Sequence, residues 1–226
     1  MNFVEKIDDN VKIERVLVSV YDKVGLDTLV PQLLRINPEI TLYSTGGTYR
    51  AIADILGDAK ANRLVAVSEY TGQPEMQGGL VKTLDFKIYL GLLSETYNPA
   101  HRQDLERTGA VAIDMVVVNL YPFQDTAARQ DVTPERARAN IDIGGPCMVR
   151  AAAKNYLRVA AVVDPGDYGA LIAELDRNEG RLSLDTRFRL AQKTFAYTSE
   201  YDSAIAGYLG SCTPAEVRSS YPEVLP

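Results

Sequence analysis

The sequence predicts an α/β fold: a mostly parallel sheet flanked by helices, with a C-terminal helical extension. Three observations carry this. Short β-branched runs alternate with helical patterns through the first three quarters of the chain. Those runs are apolar throughout rather than alternating, as expected of strands buried on both faces. Beyond residue 182 the strand signals stop and helical spacing remains. The predicted organisation is an α/β domain over 1–180 and a helical extension with its tail over 181–226, belonging to the same globular unit.

The elements follow in order. "RVLVSV" (15–20) reads as a buried strand, and "GLDTLVPQLLRIN" (25–37) has helical apolar spacing. "EITLYS" (39–44) is a second strand, and "GGTYRAIADILG" (46–57) a helix closed by Gly57. "LVAVSEY" (64–70), "FKIYLGLL" (86–93), "DMVVVNLY" (114–121) and "RVAAVV" (158–163) continue the strand series. Helices are expected at 99–108, 134–140, 146–155 and 166–177. In 183–210, Phe188, Ala191, Phe195, Tyr201 and Ile205 recur near helical spacing, giving one long or two shorter helices packed on the sheet or on a second subunit. The final "TPAEVRSSYPEVLP" reads as a loosely ordered tail.

Composition excludes several chemistries. A net charge of -6 argues against a nucleic-acid partner, which demands a broad basic surface, but not against a small anion held by a few lysines. Two cysteines, Cys147 and Cys212, make neither a disulfide framework nor a Cys-rich metal site, and Cys147 reads as a small buried residue. The single histidine, His101, lies in a charged segment that reads as an exposed helix start. Histidine-clustered metal sites therefore lack their ligands, and proton transfer falls to Lys, Asp, Glu or Tyr. No metal or cofactor is expected. "MNFVEKIDDNVKIE" lacks the apolar segment of a signal peptide, and no apolar run approaches the roughly 20 residues of a membrane span. The expected location is cytoplasmic, without a membrane partner.

Open α/β sheets bind ligands at the carboxyl ends of their strands. Two such junctions carry suitable residues: "SVYDKVG", with Ser19 and Lys23, and "YSTGGTYRA", with Ser44, Thr45, Gly46, Gly47 and Thr48. A glycine turn entering a helix offers N–H groups and a positive dipole end to a phosphate, though it is also an ordinary structural turn. "GGLVKTLDF" sets Lys82 and Thr83 beside another predicted strand, and "NLYPF" ends the most apolar strand on Asn119 and Tyr121. In "IDIGGPCMVRAAAKN", Gly144 and Gly145 permit a tight turn and Pro146 suits the first helical position. Asp142 stands at the start of that helix and Lys154 at its end; were Lys154 to point inward, desolvation would lower its pKa and make it a proton carrier. Spacing alone leaves two readings, a packed helix with charged ends or half of an active site.

Six segments together resemble the IMP cyclohydrolase domain of the bifunctional AICAR formyltransferase/IMP cyclohydrolase family. They are "VSVYDKVG", "STGGT", "SEYTGQPEMQGGLVKTL", "DMVVVNLYPF", "NIDIGGPCMVRAAAKN" and "VAAVVDPGDY", in the family's order between about residues 15 and 210. The resemblance implies a methylglyoxal-synthase-like fold and closure of FAICAR, a phosphorylated imidazole ribonucleotide, to IMP with loss of water. It implies Lys82, Tyr121, Asp142 and Lys154 as the catalytic set, with Asp142 and Lys154 a coupled proton-transfer pair. Ser19, Lys23 and Ser44 to Thr48 would hold the phosphate; Thr83, Asn119, Gly144 and Gly145 would contact substrate. A homodimer and a separate AICAR formyltransferase are the implied partners, unless that half has been removed.

The chain departs from the family at four positions. Tyr21 stands where a serine is usual, Leu80 where an arginine is usual, and Asp85 with Phe86 replaces a His-Pro pair. These changes put substrate recognition in question more than proton transfer. They leave two alternatives: a non-catalytic purine-nucleotide-binding module of the same fold, and a methylglyoxal-synthase-like lyase, which the position of His101 disfavours.

Overall fold

The computed structural model describes residues 3–58, 63–74, 76 and 81–225; Leu80 and the glycines of "GGLVKTLDF" lie outside them. A short strand, β1 (Asn10–Lys12), leads into β2 (Arg15–Val20), α1 (Leu26–Ile36), β3 (Thr41–Ser44), α2 (Gly46–Leu56) and β4 (Leu64–Ala66). The helices α3 (Val67–Thr71), α4 (Phe86–Leu93) and α5 (Pro99–Thr108) precede β5 (Met115–Asn119). Then come α6 (Phe123–Ala127), α7 (Pro134–Ala139), α8 (Gly144–Lys154), β6 (Ala160–Val162), α9 (Tyr168–Arg177), β7 (Arg181–Ser183), α10 (Leu184–Ser211) and α11 (Pro214–Ser219).

Five strands form one parallel sheet in the order β4-β3-β2-β5-β6. The two-residue period of a strand divides its side chains between two cores. Val16, Val18, Leu42, Met115, Val117 and Val162 pack under α1, α2 and α9. Leu17, Tyr43, Val116, Val118 and Ala161 pack under α4, α8 and α10. The chain order reverses between β2 and β5, and a doubly wound sheet opens a crevice at the carboxyl ends of that strand pair.

The sequence misassigned residues 86–93, which form the helix α4 instead of a strand. Asp85 caps it by accepting the Lys87 N–H at 2.7 Å, and Ile88, Gly91 and Leu92 are buried at helical spacing. Gly91 lets α4 press onto the 111–113 segment, since a Cβ there would run into the Val111 carbonyl. An eight-residue apolar run reads the same either way until its cap is recognised. The strand expected at 64–70 stops at Ala66 and turns into α3. An antiparallel ribbon of β1 and β7, unforeseen in the sequence, ties the N-terminal segment to the base of α10.

The extension is one helix, α10, capped by Ser183. Its buried stripe is Arg187, Leu190, Ala191, Thr194, Thr198 and Tyr201, so the stripe is rotated from the one expected, and Phe188 and Phe195 are exposed. The Arg187 guanidinium is the reason: fully buried, it donates to the carbonyls of Tyr156, Leu157, Asp8, Asp9 and Leu182, and so sets the rotation of the helix. The tail contains α11, closed by a Thr213–Glu216 capping box, where a loose segment was expected. Cys147, expected inside, is exposed on α8.

Candidate active site

The β3–α2 junction builds a cavity at the amino end of α2. Gly46 adopts φ 48°, a left-handed conformation that starts α2 without a side chain in the way. The cavity, about 280 Å³, is lined by Thr45, Gly46, Arg50, Ser68, Gln73 and Lys82 among others. A Cβ on Gly46 would lie 3.5 Å from the Lys82 Nζ, so the ammonium sits over the amino end of the helix. Val81, a β-branched residue at φ 54°, precedes it; such a backbone costs about 1–3 kcal/mol and turns the chain immediately before Lys82.

Several hydroxyls expected at a ligand serve the scaffold. Ser44 is fully buried and donates to the Val18 carbonyl at 2.7 Å. Thr48 donates to the Val20 carbonyl at 2.9 Å and accepts the Val20 N–H at 3.1 Å, clamping α2 to β2. Ser19 and Thr45 meet hydroxyl to hydroxyl at 3.3 Å. Gly47 has open space where a side chain would stand. Asp85 is likewise structural: besides capping α4 it accepts from Gln73 Nε2 at 2.7 Å, while its neighbour Phe86 is exposed.

At the β2/β5 crevice a groove of about 1360 Å³ opens. Asn119 is spent on its wall: Oδ1 accepts the N–H groups of Tyr21 and Asp22 at 2.7 and 2.9 Å, and Nδ2 donates to the Asp22 carbonyl at 2.8 Å. Lys23 folds back to donate to the Val20 and Tyr21 carbonyls. Tyr121 projects from the end of β5, half exposed.

Asp142 stands between the end of β5 and the start of α8. Its carboxylate accepts the Gly145 N–H at 2.9 Å and the N–H groups of Tyr121 and Gly144. Burial pushes the carboxyl above the ordinary aspartate value, and what opposes burial is these backbone donors rather than a cation. The glycines are required by contact. A Cβ at Gly144 would stand 2.5 Å from the Thr83 Oγ1, and one at Gly145 would strike Leu120 and the Asp142 carboxylate. Their N–H groups, expected to face a ligand, hold the carboxylate instead.

Two residues fix this loop from α10: Tyr201, read in the sequence only as part of a packing stripe, and Tyr197, which the sequence did not single out. Tyr201 accepts the Asp142 N–H at 2.8 Å, and Tyr197 accepts the Leu120 N–H at 3.1 Å. Their four-residue spacing puts both hydroxyls on one helix face, a signal visible in sequence only once α10 is known to cross beneath the site.

The expected Asp142–Lys154 pair is not formed within the chain. Lys154 ends α8, whose 11 residues rise about 15 Å, and its side chain is exposed rather than desolvated. His101 sits early in α5, half buried, accepting the Glu95 N–H at 3.1 Å through Nδ1. Among the described residues no cluster of His, Cys, Asp or Glu could hold a metal ion, and no helix is long and apolar enough to cross a membrane.

Comparison with known proteins agrees with this architecture. Residues 26–147 match the MGS-like domain, and residues 152–225 match the AICARFT/IMPCHase bienzyme family. The chain is 45% identical over 214 residues to the bifunctional purine biosynthesis protein PurH of Acidithiobacillus ferrooxidans, and 46% identical over 218 residues to PurH of Sorangium cellulosum. These alignments cover 95% and 94% of this chain but 40% of each relative, so the chain spans well under half of their length. A solved structure described as the crystal structure of ForH superposes with a TM-score of 0.73 at 29% identity, covering 87% of this chain and 99% of that one.

Proposed function

Because the chain belongs to the MGS-like domain family, we propose that it is an IMP cyclohydrolase, closing FAICAR to IMP by dehydration. The observation that carries this reading is Asp142: a half-buried carboxylate with a raised pKa, held by the backbone N–H groups of Tyr121, Gly144 and Gly145. The similarity to PurH over 95% of the chain supports the substrate class.

The reaction needs a proton taken from a carboxamide nitrogen as it attacks the formyl carbon, then protonation of a departing hydroxyl. Asp142 is the base, because burial raises its proton affinity towards that task while its backbone donors keep it aimed. The substrate phosphate sits at the Thr45–Gly47 turn, drawn by the amino end of α2 and by Lys82 and Arg50. Lys82 and Thr83, adjacent in sequence, then bridge the phosphate turn and the Gly144 loop. Their donors stabilise the oxyanion that develops on the formyl oxygen. Tyr121 borders the ring being closed. No step calls on a metal or redox group.

Purified protein mixed with FAICAR is expected to form IMP, followed by absorbance. Tight IMP binding with no turnover would sink the enzymatic reading and favour a binding module.

A further inference from the structure

The groove at the β2/β5 crevice carries a residue the cyclisation chemistry does not use, Tyr21, set against one that it does, Tyr121. Tyr21 and Tyr121 are each 50% exposed, and their rings meet edge to face, centroids 5.3 Å apart at 61°. Large aromatics exposed side by side at a strand-end crevice are an unusual use of apolar surface. Tyr21 is also anchored: its N–H is held by Asn119 Oδ1 at 2.7 Å, and the next N–H by the same oxygen at 2.9 Å. Lys23, tied to the Val20 and Tyr21 carbonyls, places its ammonium 6.0 Å from the Tyr21 ring centroid. The two rings therefore form a preorganised corner, with a cation at one side. It opens beside the Tyr121 backbone N–H that binds the Asp142 carboxylate.

We infer that Tyr21 is a specificity-determining residue: with Tyr121 it forms an aromatic corner that takes the planar heterocycle of a phosphorylated ribonucleotide and lays it beside Asp142. The assignment rests on the function proposed above but extends to a residue outside its catalytic and phosphate-holding groups. A flat π-system stacks on one ring while its edge meets the other, an arrangement that rewards planarity and ignores the phosphate. The corner thus distinguishes a ring-bearing nucleotide from a bare sugar phosphate.

Calorimetric titration of the purified chain with IMP and with ribose 5-phosphate tests this. The wild type is expected to prefer IMP. Tyr21→Ser should weaken IMP binding about tenfold and leave ribose 5-phosphate unchanged, and Tyr21→Phe should retain the preference. Because Tyr21 is half exposed, these variants should melt with the wild type. An unaltered IMP affinity in Tyr21→Ser, an equal loss for both ligands, or a wild type without preference would each overturn the inference. FAICAR turnover is read separately: preference for IMP without turnover sinks the cyclisation alone and upholds the aromatic corner.

Discussion

Two aspartates, Asp114 buried and Asp142 half-buried, stand at opposite ends of the same sheet and have opposite fates. Asp114, just before β5, is 7% exposed; it accepts the Glu14 and Arg15 N–H groups and pairs with Arg158 at 3.2 Å. Arg158 in turn donates to the carbonyls of Gly91, Ser94 and Ile113, so charge and backbone are tied into one lock. Asp142, beyond the carboxyl end of β5, has backbone donors opposing its burial in place of a guanidinium. Burial pushes both carboxyls above the usual range, but only Asp114 has a cation to offset it. The difference teaches where this fold ties a carboxylate to a cation for stability and where it leaves one to backbone donors, the one that the proposed function uses for proton transfer.

The largest expected effect breaks the reactive end alone. Asp142→Asn should lower the rate of IMP formation about 10²–10⁴-fold. A carboxyl whose pKa is higher folded than unfolded loses stability as pH rises through that interval. The neutral amide escapes that loss, so thermal melts at pH 7 should show the variant no less stable than wild type. The locked end should respond in the other currency. Arg158→Leu leaves Asp114 buried without its partner and should cost about 3–5 kcal/mol in denaturant unfolding. That penalty should shrink at acid pH, where Asp114 takes up a proton.

Tyr201→Phe sharpens the comparison, removing the acceptor of the Asp142 N–H without touching the carboxylate. A drop in kcat of about tenfold, with KM little changed, is expected; a fall in melting temperature with normal kcat would make Tyr201 merely structural. The smallest effect is expected from Lys154→Ala, within about threefold of wild type, since an exposed lysine about 15 Å along α8 is out of reach. A loss matching that of Asp142→Asn would mean the lysine reaches a site on a second copy.

How much of this was legible in the sequence follows from where each signal resides. The parallel sheet was readable because β2, β5 and β6 are apolar on both faces, a property of each strand alone. The α4 segment was not, since its run is apolar in either state and only the Asp85 cap decides. Lys82, Thr83, Asp142 and Gly144 were marked by residue type, the first two before an expected strand that is the helix α4 and the other two at a helix start. Geometry then reassigned Ser44, Thr48 and Asn119 to the scaffold, because their partners at Val18, Val20 and Asp22 are contacts between elements. Tyr197 and Tyr201 escaped for the same reason: their hydroxyls serve loops more than 50 residues away in sequence.

The central claim, that Asp142 is the base of a ring closure, meets its most direct test in the pH dependence of kcat/KM for FAICAR. The account predicts an acid limb with an apparent pKa above the ordinary aspartate value of about 3.9, because the carboxylate must be ionised to accept the proton. A rate that stays flat as the pH falls through that value would contradict it.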